Sequence, residues 1–420
     1  MSINQIIAED GSITFSITTK LEGTFLEQEE QIQVIVNRLG NAMTEHYLTQ
    51  YDISLPAIRV AEEKYTPKAV QKKKYQTLYG EVEIERHVYQ SRAGGRAYVP
   101  LERSTGIIGS ATPRFAKVLS QKYTHQSGAG TIEDLAMNHK RTISKTFVQD
   151  TVARVGEAFS THQQQWQYPL PDFPEQVSHI SISRDGTTTP VLPSGYRETM
   201  TGTISLYQRD GARLHTIYVA SAPEYGQKRF EQMLDAEITK VKTVYPHVVY
   251  TGVADGAPSN WRYLSDHVSV RILDYYHASE YLSEVAPLFD HSGWLAKAYH
   301  RLKTEEGGAR KILKALKRRA KGYSTPAIPS VLSKAIRYFS NNLSRMDYPS
   351  YSAAGYPIGS GVTEAACKTL VKQRLNQSGM RWNLTSIDHI LLLRGLALTS
   401  GRWQQAWNYY DQTCQTATSY

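Results

Sequence analysis

At 420 residues with 40% hydrophobic content, the chain is long enough for two or three domains and a sizeable core. No run of about eighteen uncharged apolar residues occurs, so no membrane span is expected, and MSINQIIAEDGS lacks the basic region and apolar core of a secretory leader. Two cysteines, Cys367 and Cys414, suggest neither a disulfide framework nor a zinc site and fit a reducing cytoplasm, while a net charge of +9 keeps nucleic acid open as a partner.

Residues 1–63 hold one expected helix, Leu26–Leu48, whose apolar side is Ile32, Val34, Ile35, Leu39, Met43 and Leu48; packing or self-association is its expected role. In residues 64–162 the character changes. Lys72-Lys73-Lys74 leads into alternation at Leu78, Val82, Ile84 and Val88, with Gly80 and Gly94-Gly95 as turns, which reads as a basic β-element. It suits either DNA-backbone contact or a plain hairpin with solvated lysines. Two helices follow, Thr131–Lys140 and one beginning at Thr142, with Thr131, paired with Asp134, and Thr142 as cap-like residues. They fit a helix-turn-helix with 142–154 as recognition helix, or an ordinary helical hairpin.

Residues 163–176 read as a linker carrying Pro169, Pro171 and Pro174. From Val177 the pattern becomes α/β. HISISRDG is an alternating strand closing at Asp185-Gly186, and MTGTISLYQ and LHTIYVASA form a meander with it through the turn Asp210-Gly211. Helix Tyr225–Val244, strand HVVYTGVAD ending at Asp255, a short helix opened by Pro258, strand VSVRIL ending at Asp274 and helix HASEYLSEVAPLF complete residues 177–292. Residues 293–350 read as a helical insertion. Its stretch Lys297–Lys321 carries ten Lys and Arg against Glu305 and Glu306, which makes it either a phosphate-contacting or a solvated face. Lys311, Lys314, Lys317, Arg318 and Arg319 are its candidate DNA contacts.

The last part, 351–420, contains YPIGSGVTEAACKTLVKQRLNQSGMRW, Tyr356–Trp382. After the turn Gly359-Ser360-Gly361 comes a single acid, Glu364, then Lys368 and Lys372 at helical spacing on its face, with Arg374 and Arg381 nearby. A first-turn carboxylate by itself is ordinary helix-dipole chemistry. Asp185 and Asp255 give it company. Separations of 70 and 109 residues set the three acids far apart in sequence, and acids at strand ends collect at one sheet edge if their strands are parallel neighbours. Such an oxygen-only set selects two Mg²⁺ or Mn²⁺ ions about 4 Å apart, which activate a water or a 3′-hydroxyl and steady the leaving oxygen. Trp261 and Trp382 are placed either near the site, where an indole can stack on an unpaired base, or in the core. No GxxxxGK[ST], CxxC or Ser-His-Asp set is present.

DGTTTPV, VADGAPSNW, DYYHASEYL and GYPIGSGVTE…LVKQRLNQSGMRW, in that order, resemble the sequence blocks of DDE transposases of bacterial insertion sequences, in particular the Kra-type group related to mutator-like elements. The resemblance covers roughly 175–400. It implies a ribonuclease H-like, mixed five-stranded α/β sheet with flanking helices, a helical insertion before the catalytic Glu, and an N-terminal α+β DNA-binding region. It implies Asp185, Asp255 and Glu364 as the metal-binding triad, with Asp274 and His277 near the site; a histidine that only caps its helix is the other reading of His277. It further implies a cytoplasmic, nucleoid-associated homo-oligomer that binds terminal inverted repeats, cleaves the strand and joins the freed 3′-hydroxyl to target DNA. A ribonuclease H-like nuclease or resolvase and a catalytically retired DNA-binding descendant are the alternatives.

Overall fold

The computed structural model describes residues 2–60, 62–163, 165–173, 176–289, 293–324 and 327–416; Gln164, Pro174 and Glu175 of the expected linker lie outside the described residues. The chain divides into two compact units, one of Met1–Tyr168 with Trp403–Tyr420 and one of Pro169–Arg402. The last helix, Arg402–Thr416, therefore falls almost wholly in the first unit instead of completing the second.

The first unit opens on a hairpin absent from the sequence reading, β1 (Ser2–Ile7) and β2 (Ile13–Thr18). Its turn is Asp10-Gly11: the Asp10 carboxylate accepts from the Ser12 N–H at 2.9 Å, and Gly11 takes φ +80°. Helix Phe25–Thr49 follows, started by a capping box in which Thr24 and Glu27 satisfy each other's backbone N–H. Of its apolar residues only Leu48 is buried. β3 (Ile58–Val60), β4 (Glu63–Gln76) and β5 (Glu81–Ser91) form an antiparallel sheet. Leu78 falls in the β4–β5 turn, not on a strand. Lys72-Lys73-Lys74 lies inside β4, and each lysine meets a carboxylate: Glu85 at 3.8 Å, Glu102 at 2.7 Å and Glu81 at 2.8 Å. Helices Gly128–His139 and Lys145–His162 start at Ser127 and Ser144, whose hydroxyls accept from backbone N–H groups. Thr131 is buried one turn inside its helix and Thr142 precedes the next, so neither caps. A nearby serine takes the cap in each case because its hydroxyl reaches the free N–H groups.

The second unit is a mixed α/β layer structure around a five-stranded sheet in the order β10-β9-β6-β7-β8. These are β6 (His179–Val191), β7 (Gly195–Tyr207), β8 (Arg213–Ala220), β9 (Val249–Ala254) and β10 (Val270–Leu273). β6, β7 and β8 are the antiparallel meander; β9 runs parallel to β6, and β10 parallel to β9. β6 does not close at Asp185-Gly186. Pairing with β9 ends at Ile182, while pairing with β7 continues to Val191, so Asp185 sits where the strand leaves one neighbour and keeps the other.

Helices cover both faces of the sheet, and for that reason Ser181 and Ser183 are buried along with Ile180 and Ile182. On one face, helix Lys228–Val244 inserts Phe230, Leu234, Ile238 and Val241, each buried side chain contributing about 2 kcal/mol by removal from water. Leu234 lies against Gly202 of β7, whose added Cβ would meet it at 2.9 Å. Before the last third of the unit come helices Trp294–Thr304, Gly308–Ala320 and Ser330–Asn342; Ile312, Leu313 and Leu316 face inward and Lys314, Lys317 and Arg318 outward. Helix Leu384–Leu398 is buried along most of its length. Among the described residues no helix is long and apolar enough to cross a membrane.

Candidate metal centre at the ends of three parallel strands

The register of the sheet decides where the acids go. Ile182 pairs with Gly252, and three residues further each strand reaches Asp185 and Asp255. Leu273 pairs with Ala254, and one residue further each reaches Asp274 and Asp255. Three aspartates on adjacent strands thus stand at one level: Asp185 where β6 has parted from β9, and Asp255 and Asp274 just past the carboxyl ends of β9 and β10.

Glu364 approaches this edge from the short helix Gly361–Ala366. Thr363 of that helix and Thr203 of β7, both fully buried, share a hydrogen bond of 2.7 Å that seats the helix on the sheet. A π turn, Cys367–Lys372, continues it. The wider turn keeps Cys367, Leu370 and Val371 inside while Lys368 and Lys372 stay exposed. Cys367 is buried as expected, and its Sγ lies 3.7 Å from the Asp185 carboxylate. Burial pushes the thiol up to about 12, with the Asp185 charge adding to it, so it is a neutral neighbour of the acid.

Each acid has its own surroundings. Burial, reinforced by the Asp255 charge, raises the Asp185 pKa against the Gly186 N–H, which donates at 2.8 Å. Asp255 accepts from the Ala257 N–H at 3.1 Å and the Asn260 side chain at 2.9 Å, the latter at the start of helix Pro258–Leu264. Asp274 has no exposed surface. Its Oδ1 accepts from the N–H groups of Tyr276 (2.6 Å) and His277 (3.0 Å), which caps helix Tyr275–Val285. Its Oδ2 accepts from the Ser360 N–H at 2.5 Å and from the Ser360 hydroxyl. Burial pushes this carboxyl up, but the bonds from His277 and Ser360 outweigh it and hold it at about 2.

The Ser360 hydroxyl also lies 2.8 Å from Glu364 Oε1, so one proton is shared between two carboxylates and ties β10 to the Glu364 helix. Gly359 lets the loop pass: an added Cβ would strike the Tyr276 ring at 2.8 Å. His277, with Nδ1 3.6 Å from Asp274, is held protonated by that carboxylate against its own burial, at about 9. It is not itself the cap of its helix; Asp274 is.

Ligand atoms of Asp274, His277 and Glu364 all lie within 4.8 Å of one another, a set that can hold a metal ion. This group differs from the expected one. It includes a nitrogen donor, so it is not oxygen-only, and it replaces Asp185 and Asp255 by Asp274. Because the imidazole is protonated, metal binding there must release a proton. Asp185 and Asp255 stand beside the group: Asp255 and His277 both act electrostatically on Asp185. All five residues therefore gather at one edge.

The other expected site residues have these surroundings. Trp261 is a core residue, 5% exposed, with the Arg345 guanidinium over its ring at 4.5 Å. Trp382 is also buried, and its indole N–H donates to the Leu375 carbonyl at 3.1 Å. Neither indole presents a free face for a base. Arg374 is fully buried over the Trp382 ring at 4.8 Å, so it does not face phosphate. Lys368, Lys372 and Arg381 are exposed. In the insertion Lys311 pairs with Glu305 at 3.0 Å and Arg319 is half-buried beside Tyr323, leaving Lys314, Lys317 and Arg318 as the outward cations. The sequence reading missed Ser360 and Asn260; each stands beside an acid it had singled out, in GSG and DGAPSN, the one signal available.

No protein-family model matches the chain, and no curated protein matches it in sequence.

Proposed function

We propose that this chain is a DDE-type DNA transposase whose second unit is a ribonuclease H-like core. The observation that carries the reading is the level placement of Asp185, Asp255 and Asp274 on adjacent parallel strands, Asp185 within β6 and the other two just past the ends of β9 and β10, with Glu364 brought to Asp274 through Ser360. Asp185, Asp255 and Glu364 would hold Mg²⁺ or Mn²⁺, and two such ions supply activation of the attacking hydroxyl and stabilisation of the leaving oxygen. The protein's own groups do the rest. Asp274 fixes His277 as a cation beside the acids, where it can bear on a strand phosphate. Lys368, Lys372 and Arg381, with the outward cations of helix Gly308–Ala320, bind the flanking backbone. The neutral Cys367 thiol lies against Asp185.

The test is joining of a labelled duplex 3′ end to supercoiled plasmid in Mg²⁺. The wild type is expected to join; Asp185→Asn, Asp255→Asn and Glu364→Gln are each expected to lose joining while still binding DNA. Cutting without joining would make the chain a nuclease or resolvase, and DNA binding with neither would make it a retired, DNA-binding descendant.

A further inference from the structure

The first unit contains a cavity of about 480 Å³ that the catalytic reading does not use. Its walls come from the loop after β5, the loop before helix Pro113–His125, helix Lys145–His162 and the C-terminal helix Arg402–Thr416. Three guanidinium groups line it, Arg96, Arg103 and Arg154, all on exposed residues. None has an ion-pair partner among the described residues. Lys73 also lines it, and it shares the one Glu102 carboxylate with Arg86, at 2.7 and 2.5 Å. Among the described residues of the wall, Asp150 is the one acid without an ion pair, against three such arginines. Two flat rings, Phe147 and Tyr410, complete the wall.

Unpaired arginines clustered around a concave site favour an anion with several oxygens, because each guanidinium offers a fork of donors. Aromatic walls add a place for a planar ring, and arginine stacks on such rings as well. The volume is that of a small-molecule site. We propose that this cavity is a nucleotide-binding site, taking a phosphate at Arg96, Arg103 and Arg154 with the attached base between Phe147 and Tyr410. The shared ligand chemistry is a phosphate joined to a planar heterocycle, from a DNA strand or from a free nucleotide. The site stands on the cavity alone and does not depend on the chemistry of the second unit.

Cys414 lines the same cavity, whereas the other cysteine, Cys367, is buried in the second unit, so thiol labelling reports occupancy locally. Full-length protein is treated with a maleimide with and without dAMP or a twelve-nucleotide single strand, and labelling of the Cys414 peptide is followed by mass spectrometry. The expected result is at least threefold slower labelling with a ligand, and no protection in Arg103→Gln/Arg154→Gln, whose folding is checked by circular dichroism. Protection by dAMP assigns the site to free nucleotides; protection by the oligonucleotide alone assigns it to a strand. Unchanged labelling with both ligands at millimolar concentration, or full protection persisting in the folded double variant, overturns the proposal. Plasmid joining, measured separately, is a readout of the catalytic edge and does not bear on this outcome.

Discussion

Replacing Asp274 by Asn keeps the shape of the side chain and removes its charge. The wild-type carboxylate accepts four hydrogen bonds in a site with no exposed surface. Its pKa is held at about 2 against an ordinary 3.8. That gap makes the ionised form favoured over a neutral one by about 2.5 kcal/mol in the folded state. An amide does worse than a neutral carboxyl, because its NH₂ must face at least one N–H donor, so the expected loss at pH 7 is about 2.5–4 kcal/mol. For a unit of this size each kcal/mol moves Tm by about 2–4 °C, which predicts a drop of about 5–15 °C. The pH dependence has a definite sign. A depressed folded-state pKa contributes stability that is present above the unfolded value near 3.8 and is lost as pH falls through about 2. Wild type and variant should therefore converge in strong acid. Denaturant titration at pH 7 and near pH 2 measures this; a loss under about 0.5 kcal/mol at pH 7, smaller than one ordinary hydrogen bond, would refute the account of Asp274 as the anchor of the edge.

Burial pushes His179 and His215 down to about 4, so the unfolded chain takes up protons that the folded one refuses, and stability should fall between pH 6.5 and 4 by up to about 3 kcal/mol for each. His179→Phe should flatten that slope in denaturant titrations; an unaltered slope assigns the acid sensitivity elsewhere. Neutralising Lys314, Lys317 and Arg318 to Gln should lower the salt-dependence slope of duplex binding by about 0.9 for each phosphate no longer neutralised, with an unchanged slope marking a solvated face. Arg374→Met should destabilise the second unit by about 1–3 kcal/mol yet leave that salt slope alone, because the guanidinium is wholly buried over Trp382; a reduced slope would return Arg374 to the DNA-binding set.

The five-stranded sheet was legible because its strands carry apolar residues and are punctuated by turn and helix-start residues. Ile180 and Ile182, the Asp210-Gly211 turn and Pro258 each carry local chemistry that survives folding. Gly211, at φ +85°, forms the expected turn. What the alternation hid was burial on both faces, since Ser181 and Ser183 read as solvent positions until helices cover them. The continuation of β6 past Asp185 was hidden too: Thr187, Thr188 and Thr189 suit a strand, but Asp-Gly reads as a corner. The β1–β2 hairpin had a signal in ITFSIT after Asp10-Gly11. Side-chain fate was the least visible layer. Arg374, Arg381, Trp261 and Trp382 look alike in sequence as site residues, and tertiary packing buries three of them and exposes one. Asp274 was visible as a strand end, but its role as cap, anchor of Ser360 and partner of His277 depends on a loop 86 residues away.

The central claim is that carboxylates from β6, β9 and the Glu364 helix share divalent ions. Anomalous diffraction from crystals soaked in Mn²⁺ tests it most directly. Manganese is expected within about 2.2 Å of carboxylate oxygens of Asp185, Asp255 and Glu364. Manganese confined to Asp274, His277 and Glu364, with Asp185 and Asp255 unligated, would contradict it.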